Sequence, residues 1–352
     1  MMRPVKMIGA LLCVGALVSA CADVPGEGGG AAGGKGVAIA QVVPTLGYVT
    51  LDTARAFNTF ADEGIEAEHV QLSGGDPAAL AALDSGDVDF AAVGSEAPLL
   101  ALAEGGGDYQ VVYSLMGQMS LDLVVSKAFM DKAGVSPTDP LEERLAALEG
   151  ARFGVSALGG AQERTSKWLA QQGGLDPEED IEVLNAGPPP ALLAGMDNDR
   201  IDAFLLTAPN GAIAEKAGYG QVLVRLAAEV DELAGFDHLV LVTRKDFAAQ
   251  EPEKVTKVVR ALNSANEMIL DQPGDVAAKL QSTAYEDVPT DIMTESVQGL
   301  APGVQDKGAV TEEGMSHVIE FTAKTGEPTV RELEAASGEG DWWTNQFVQK
   351  AG

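Results

Sequence analysis

A short pattern of helix, turn, strand and helix occurs twice in this chain. The first copy spans Ala81–Pro98, where a Ser-Gly-Asp turn precedes an apolar strand and a second helix start. Leu83–Asp89 (LDSGDVD) matches Met196–Asp202 (MDNDRID), and a gapless continuation places Gly94-Ser95-Glu96 opposite Thr207-Ala208-Pro209. We interpret the two copies as two similar lobes that hold a ligand between their loops. The alternative is that this order of elements is common in any α/β protein.

Short apolar runs alternate with helical spacing from Gly36 to Leu226 and predict an α/β fold with mostly parallel sheets, and the chain after Phe247 is predicted to be mainly helical. One such helix is predicted over Tyr48–Glu63. Two similar β-rich segments, Leu121–Phe129 and His238–Phe247, interrupt the alternation. We interpret these two segments as paired crossing strands that join the lobes.

The amino terminus has the features of a bacterial lipoprotein signal. Arg3 and Lys6 precede an apolar run that is too short to span a bilayer comfortably, and Val18-Ser19-Ala20-Cys21 fits a lipobox. Residues 1–20 are therefore predicted to be removed and Cys21 to be lipidated, with the glycine-rich segment 21–35 as a flexible tether. An ordinary secretory signal with a chance cysteine is the alternative.

Charge and cysteine content exclude several classes of function. The formal net charge is −30, whereas nucleic-acid binding needs a basic surface. The two cysteines, Cys13 and Cys21, lie in the removed segment and at the lipidation site, so the mature protein would contain no disulfide or thiolate metal site. A lipid anchor is then the predicted contact with the membrane.

The sequence contains no recognisable catalytic constellation. His69, His238 and His317 lack metal-ligand spacing, and neither a G-x-S-x-G motif nor a P-loop lysine occurs. The loop Ser156–Gln162 opens a helix and is either an anion cradle built from backbone N–H groups or a plain strand-to-helix turn. Trp342 and Trp343 either stack on a ligand or, as we favour, attach the tail to the body. No cofactor and no metal are predicted.

An ordered series of short motifs resembles the substrate-binding proteins of bacterial ABC importers. The series consists of Pro44, Phe60–Glu66 (FADEGIE), Ser85–Phe90 (SGDVDF), Arg152–Val155 (RFGV) with the loop after it, and Ile201–Ala203 (IDA). The chain is most similar to the family that binds nitrate, alkanesulfonates, taurine and thiamine-precursor pyrimidines. The resemblance implies a type II periplasmic-binding-protein fold, a hinge closure and a permease partner.

Under this resemblance, 36–123 and 243–352 form the first lobe and 124–242 the second, and the protein is an extracytoplasmic, lipid-anchored monomer. The predicted ligand-binding residues are Pro44, Thr45, Tyr48, Gly94, Ser95, Glu96, Gln118, Ser156, Gly159, Gly160, Gln162, Thr207, Pro209, Phe236, Asp237 and His238. Ser95 and Thr207 are expected to donate hydrogen bonds, and Glu96 or Asp237 to accept one.

The predicted cleft loops are more acidic than those of many anion-binding members of this family. They contain Asp76, Glu96 and Asp237, and their basic residues are Arg164 and Lys167. The ligand is predicted to be a small sulfonate, taurine or pyrimidine, and an amine or ring N–H fits better than nitrate or a simple sulfonate. A synthase that uses a histidine and a metal on the same fold, and a sensor lipoprotein without transport, are the alternatives.

Overall fold

The computed structural model describes residues 36–42, 45–304, 306–325, 330, 338–340 and 342–352 of the 352-residue chain. The predicted signal, Cys21, the tether and Pro44 lie outside the described residues. Ten named strands in this part form two five-stranded sheets, which confirms the predicted α/β class with two lobes.

The first sheet has the strand order β2-β1-β3-β10-β4. Its strands are β1 (Gly36–Gln41), β2 (Glu66–Gln71), β3 (Phe90–Gly94), β4 (Tyr109–Met116) and β10 (Leu239–Arg244). The first three pair in parallel, and β10 runs antiparallel between β3 and β4. Strands β3 and β4 are buried along their whole length, as expected for apolar strands covered on both faces by helices.

The second sheet repeats this topology with the order β7-β6-β8-β5-β9. Its strands are β5 (Leu121–Ser126), β6 (Arg152–Val155), β7 (Glu182–Asn185), β8 (Ala203–Thr207) and β9 (Gly220–Arg225). Strand β5 runs antiparallel between β8 and β9, as β10 does in the first sheet. Gly94 ends β3 and Thr207 ends β8, at equivalent places in the two sheets, as the sequence repeat predicts.

The chain passes between the sheets at two places that differ in detail from the prediction. Strand β5 belongs wholly to the second sheet and β10 wholly to the first, so these fully described strands pair with sheet neighbours and not with each other. Each strand is largely buried, and pairing on both sides satisfies backbone groups that a lone connecting ribbon would leave open. The crossings are residues 117–120 and 226–238, and the predicted boundaries 123/124 and 242/243 fall inside strands.

Sixteen α-helices surround the sheets within the described residues. They are α1 (Val49–Ala56), α2 (Thr59–Asp62), α3 (Gly75–Ser85), α4 (Glu96–Ala103), α5 (Lys127–Ala133), α6 (Leu141–Ala146), α7 (Ala161–Gln172), α8 (Pro189–Asp197), α9 (Asn210–Ala217), α10 (Leu226–Glu229), α11 (Lys245–Gln250), α12 (Pro252–Asp271), α13 (Pro273–Thr283), α14 (Thr290–Leu300), α15 (Glu312–Lys324) and α16 (Gln346–Ala351).

The helix predicted over Tyr48–Glu63 is divided in the structure. Asn58 adopts a left-handed conformation (φ 61°) between α1 and α2, and asparagine tolerates this conformation better than most residues. In the segment Leu121–Phe129 the strand ends at Ser126, before the basic residue and the Phe, because the Ser126 hydroxyl accepts a hydrogen bond from the Phe129 N–H and caps α5.

The carboxyl-terminal part of the chain packs onto the first sheet. Trp342 and Trp343 are buried, and Trp343 forms an isolated bridge with Val111 in β4. This placement confirms the favoured prediction that the two tryptophans attach the tail. No described helix is long and apolar enough to span a bilayer.

Candidate functional site

A cavity lies between the two sheets at the carboxyl ends of their parallel strands. Its empty volume, counted together with adjoining space that is open to solvent, is about 670 Å³. Gly94 after β3, Ser156 after β6 and Thr207 at the end of β8 all line it, so both sheets contribute. Ligands of open α/β sheets bind at this edge, which supports the sequence-based position of the site.

Eight predicted ligand-binding residues line the cavity. They are Thr45, Tyr48, Gly94, Ser156, Gly160, Gln162, Thr207 and His238. The list of predicted ligand-binding residues did not include Val42, Gly75, Asp76, Leu121, Ala157, Ala161, Leu206 and Leu239, although Asp76, Ala157 and Ala161 lie in predicted cleft loops. Leu121 and Leu239 begin the antiparallel strands β5 and β10, whose amino ends lie at the same edge as the carboxyl ends of the parallel strands. Knowledge of the strand direction would have identified these two leucines.

Seven other predicted residues do not line the described part of this cavity: Ser95, Glu96, Gln118, Gly159, Pro209, Phe236 and Asp237. Phe236 has no exposed surface and packs edge-to-face on Phe321, with ring centroids 5.5 Å apart. The Asp237 carboxylate accepts hydrogen bonds from the Ser114 hydroxyl (2.6 Å) and the Thr311 N–H (3.3 Å). Both side chains therefore support the packing of the second crossing against its neighbours.

Three of these seven residues belong to structures beside the cavity: a second cavity, an exposed turn and the start of a helix. Gln118 lines a separate cavity in which β5 and α9 face α14. Gly159 is exposed, and its N–H donates to Glu163 Oε2 at 2.7 Å. Pro209 is the residue before α9. The gapless repeat placed Pro209 opposite Glu96, and neither residue lines the cavity.

Ser95 and Glu96 are buried just behind the cavity wall. The Ser95 side chain has no exposed surface, and its hydroxyl has no hydrogen-bond partner among the described residues. Glu96 is 2% exposed, and its Oε2 lies 3.4 Å from Nη2 of Arg164. Glu96 Oε1 is likewise without a partner in the described part of the chain.

Three polar side chains lie in a row at the floor of the cavity, of which Thr207 and His238 line it and Ser120 lies between them outside its described lining. The hydroxyls of Thr207 and Ser120 lie 3.0 Å apart, and the Ser120 hydroxyl lies 2.9 Å from Nδ1 of His238. The Ser120 N–H also donates to Nδ1, at 3.2 Å. Burial lowers the pKa of His238 to about 4, so its imidazole is neutral at pH 7.

Asp76 supplies a carboxylate to the cavity wall. Burial raises the pKa of Asp76 to about 6; Arg164 lowers it and Glu96 raises it. The carboxylate is therefore mostly ionised at pH 7. Burial, and then the charge of Asp76, raise the pKa of the Tyr48 hydroxyl well above its usual value, so this group remains protonated. Neither lysine nor arginine is among the described lining residues.

The Ser156–Gln162 loop has fewer free N–H groups than an anion cradle requires. Its Ser156 N–H donates to Oε1 of Gln162 at 2.7 Å, and the Gln162 side-chain amide donates to the Leu205 carbonyl at 2.9 Å. Lys167 points to Glu163 and Glu178. These contacts favour the interpretation as a strand-to-helix turn that fastens α7 to β8.

Comparison with known sequences identifies the family. The profile of the NMT1-like family matches residues 35–282, which is more than half of the chain. The chain belongs to the NMT1-like family. The NMT1-like protein is also 28% identical, over 163 residues, to the nitrate import ATP-binding protein NrtC of Synechocystis. That match covers 45% of this chain but only 23% of the length of NrtC.

Solved structures share the fold of this NMT1-like protein. The periplasmic nitrate-binding protein NrtA of Synechocystis PCC 6803 superposes with a TM-score of 0.70 and 15% identity, covering 90% of this chain and 88% of NrtA. The alkanesulfonate-binding protein SsuA of Xanthomonas axonopodis, bound to MOPS, superposes with a TM-score of 0.65 and 17% identity, covering 91% of this chain and 99% of SsuA. The fold is that of the periplasmic binding proteins, as predicted.

The described residues of the NMT1-like protein show no group of three or more His, Cys, Asp or Glu side chains placed to hold a metal ion. The cavity presents apolar walls, one ionised carboxylate, one neutral imidazole and several hydroxyls. Such a site binds through shape and a few directed hydrogen bonds.

Proposed function

We propose that the protein captures a small organic molecule between its lobes and delivers it to the permease of an ABC importer. The observation that carries this proposal is the cavity at the strand ends, which receives lining residues from both sheets. The periplasmic-binding-protein fold and relatives named for nitrate and alkanesulfonate binding support it. Under this proposal the protein is a binding protein and not an enzyme.

Sulfonates, taurine and pyrimidines are the ligand classes that we propose, and a molecule with an amine or ring N–H is favoured. Asp76 is ionised at neutral pH, and the described cavity lining offers no cationic side chain to a simple anion. The leucine, valine and alanine side chains of the lining suit an apolar or aromatic body. Nitrate, which has only acceptor oxygens and a negative charge, is disfavoured by Asp76.

A thermal-shift screen with matched ligands tests this proposal. Taurine and ethanesulfonate differ by an ammonium group, so Asp76 should favour taurine. A ligand at a hundred times its dissociation constant stabilises the folded protein by about 2.7 kcal/mol, which is visible as a rise in melting temperature. A preference for ethanesulfonate would contradict the proposed role of Asp76. Recovery of a chemically altered ligand would support an enzyme, and failure to bind any permease would support a sensor.

We further propose that Cys21 anchors the protein to the outer face of the cell membrane through its lipid. The lipobox at Val18–Cys21 and the glycine-rich segment after it support this location. Cys21→Ser should move the protein from the membrane fraction to the soluble fraction, measured by fractionation and immunoblotting. A Cys13→Ser control should stay in the membrane fraction, and a Cys21→Ser protein that also stays there would contradict the anchor.

We place the lobe boundaries where the chain changes sheets. The first lobe then comprises 36–116 and 239–352, and the second comprises 121–225. Sheet membership supports these limits, since β4 and β10 belong to the first sheet and β5 and β9 to the second. We propose a monomer, because each chain supplies lining residues from both sheets to one cavity.

A further inference from the structure

The three side chains on the cavity floor form one continuous hydrogen-bond chain. It runs from the Thr207 hydroxyl through the Ser120 hydroxyl to Nδ1 of His238, over 3.0 and 2.9 Å. Thr207 is 2%, Ser120 7% and His238 4% exposed, so water competes little for these contacts. Thr207 and His238 line the cavity, whereas Ser120 is absent from its described lining.

The backbone of Ser120 fixes the direction of this chain. Its N–H donates to Nδ1 of His238, so Nδ1 carries no proton and the neutral ring holds its proton on Nε2. The Ser120 hydroxyl must then also donate to Nδ1, because the opposite orientation would bring two lone pairs together at 2.9 Å. With the Ser120 proton used, Thr207 must donate to the Ser120 oxygen.

We propose that this chain makes His238 the specificity-determining donor of the cleft and Thr207 its acceptor, with Ser120 as the positioning residue. The inference rests on the proposed function and deepens it by naming the edge that the ligand presents. The His238 Nε2–H requires an acceptor atom on the ligand. The Thr207 oxygen, whose proton faces Ser120, requires a donor. Thr207 thus acts in the direction opposite to the one that its sequence position suggested.

Gly47 covers one side of the hydrogen-bond chain. A Cβ atom built at Gly47 would lie 3.2 Å from Oγ1 of Thr207, 3.4 Å from Oγ of Ser120 and 2.8 Å from Cδ1 of Leu239. The glycine backbone therefore lies directly against the two hydroxyls. In this covered position each hydroxyl keeps the orientation that its protein partner imposes.

The chemical class that fits this floor has a hydrogen-bond acceptor beside an N–H donor. Carboxamides and ring lactams have such an edge. A sulfonate or nitrate group offers acceptors only, so it satisfies His238 and leaves Thr207 without a donor. A ligand with acceptors only should therefore bind roughly tenfold more weakly than one with an acceptor and a donor.

Measurement of the His238 ring in the ligand-free protein tests which of its two nitrogens carries the proton. The full chain labelled with ¹⁵N-histidine is examined at pH 7 by long-range ¹H–¹⁵N correlation, and the His238 signal is assigned by its absence from His238→Gln. The expected signature is a protonated Nε2 and an unprotonated Nδ1. A protonated Nδ1 overturns the inference and leaves the proposed function intact.

Two probes of similar size test the preferred ligand edge, an acceptor beside an N–H donor, by ligand-observed NMR titration. Benzamide offers an acceptor and an N–H donor, and methyl benzoate offers acceptors only. Wild-type protein should bind benzamide about tenfold more tightly than methyl benzoate, and Thr207→Val should bring the ratio close to one. Thr165→Val is the matched control: this buried hydroxyl has no partner among the described residues and lies outside the described cavity lining, so the ratio should stay unchanged.

Ser120→Ala separates positioning from direct contact. Removal of the Ser120 hydroxyl frees the Thr207 proton to point at the ligand, so the preference for benzamide should fall although no described lining residue has changed. An unchanged ratio in Thr207→Val or Ser120→Ala overturns the inference. Failure of both probes to bind wild-type protein overturns the inferred ligand edge, whereas the proposed function still stands on any other ligand that the screen recovers.

Discussion

Individual buried carboxyls dominate the pH behaviour expected of this protein. Burial raises the pKa values of Asp76, Asp122 and Asp237 to about 6. In the unfolded chain these groups ionise near 3.8, so between these values the folded state holds more protons. The stability that these three carboxyls contribute to the folded state is fully present below about pH 3.8 and is lost as the pH rises through 6. His238 acts in the opposite direction. Its lowered pKa contributes stability above pH 6.5, and the folded protein loses that stability as the pH falls from 6.5 to about 4.

Replacement of Asp122 by asparagine should weaken this pH dependence. Asp122 faces Arg225 across β5 and β9, and the charges of Glu215 and Glu229 raise its pKa further after burial. Asp122→Asn removes a difference of at most one bound proton between the folded and unfolded states. The slope of the unfolding free energy against pH should therefore change by up to about 1.4 kcal/mol per pH unit between pH 4 and 6. Urea unfolding at several pH values measures the slope. The exposed Asp131→Asn is the control, and an unchanged slope in Asp122→Asn would contradict the assignment.

Ser95→Ala tests whether the ligand reaches behind the cavity wall. The buried Ser95 hydroxyl has no partner in the described chain, so its loss should not destabilise the protein and should raise the free energy of unfolding by up to about 1–3 kcal/mol. Ser114→Ala is the contrasting variant. It removes the 2.6 Å hydrogen bond to Asp237 and should cost roughly 1–3 kcal/mol, measured by denaturant unfolding. A large cost in Ser95→Ala would reveal an unrecognised partner, and weaker ligand binding would support the predicted contact.

At the scale of elements, close approach of backbones fixes how helices pack. Gly173 directly follows α7, and a Cβ added there would meet backbone carbon and oxygen atoms of Leu145 in α6 at 2.5 Å. Backbone atoms cannot move aside as a side chain can, so α6 and α7 approach this closely only because residue 173 is glycine. This contact fixes the position of α7, the helix that carries Arg164, against α6.

Gly173→Ala should therefore separate α6 from α7 and cost about 1–3 kcal/mol of stability. Gly299 in α14 is the matched control, since nothing lies within 4 Å of its added Cβ. Gly299→Ala should stabilise the protein by about 0.5–1 kcal/mol, because alanine loses less backbone freedom in a helix. Chemical denaturation of the two variants gives the comparison. Equal effects of the same sign would argue against the packing explanation.

At the scale of the whole molecule, two ion pairs among the described residues connect the lobes. Arg164 in α7 contacts Glu96 in α4, and Lys216 in α9 contacts Asp291 in α14, where its Nζ lies 2.9 and 2.8 Å from the two carboxylate oxygens. Glu96 is almost fully buried, whereas Lys216 and Asp291 are 51% and 66% exposed. Exposed pairs contribute little, and loss of one partner of a buried pair leaves a charge without compensation.

Arg164→Ala should shift the ligand-free protein toward an open arrangement, because water can then reach the Glu96 carboxylate. We expect a larger radius of gyration by small-angle X-ray scattering, and a return to the compact value in the Arg164→Ala, Glu96→Gln double variant. Lys216→Ala should leave the radius unchanged. Saturating ligand should compact the wild-type protein, and an unchanged radius with verified ligand would argue against hinge closure.

The sequence by itself determined the α/β class, the repeat of two lobes and the strand ends that bound the cavity. Apolar periodicity reports which residues are buried in a strand or helix, and the loops at strand ends follow from that. The match of Gly94 with Thr207 was therefore correct, and both residues line the cavity.

Only the tertiary structure decided the direction of individual contacts. The sequence could not show that Phe236 and Asp237 turn into packing contacts while the adjacent His238 faces the cavity, because neighbouring side chains of an irregular segment share no period. It also could not orient the Thr207 hydroxyl, since that depends on a proton fixed by Ser120, a residue 87 positions away. Hydrogen-bond direction is a property of atoms brought together by folding, and residue types alone leave it open.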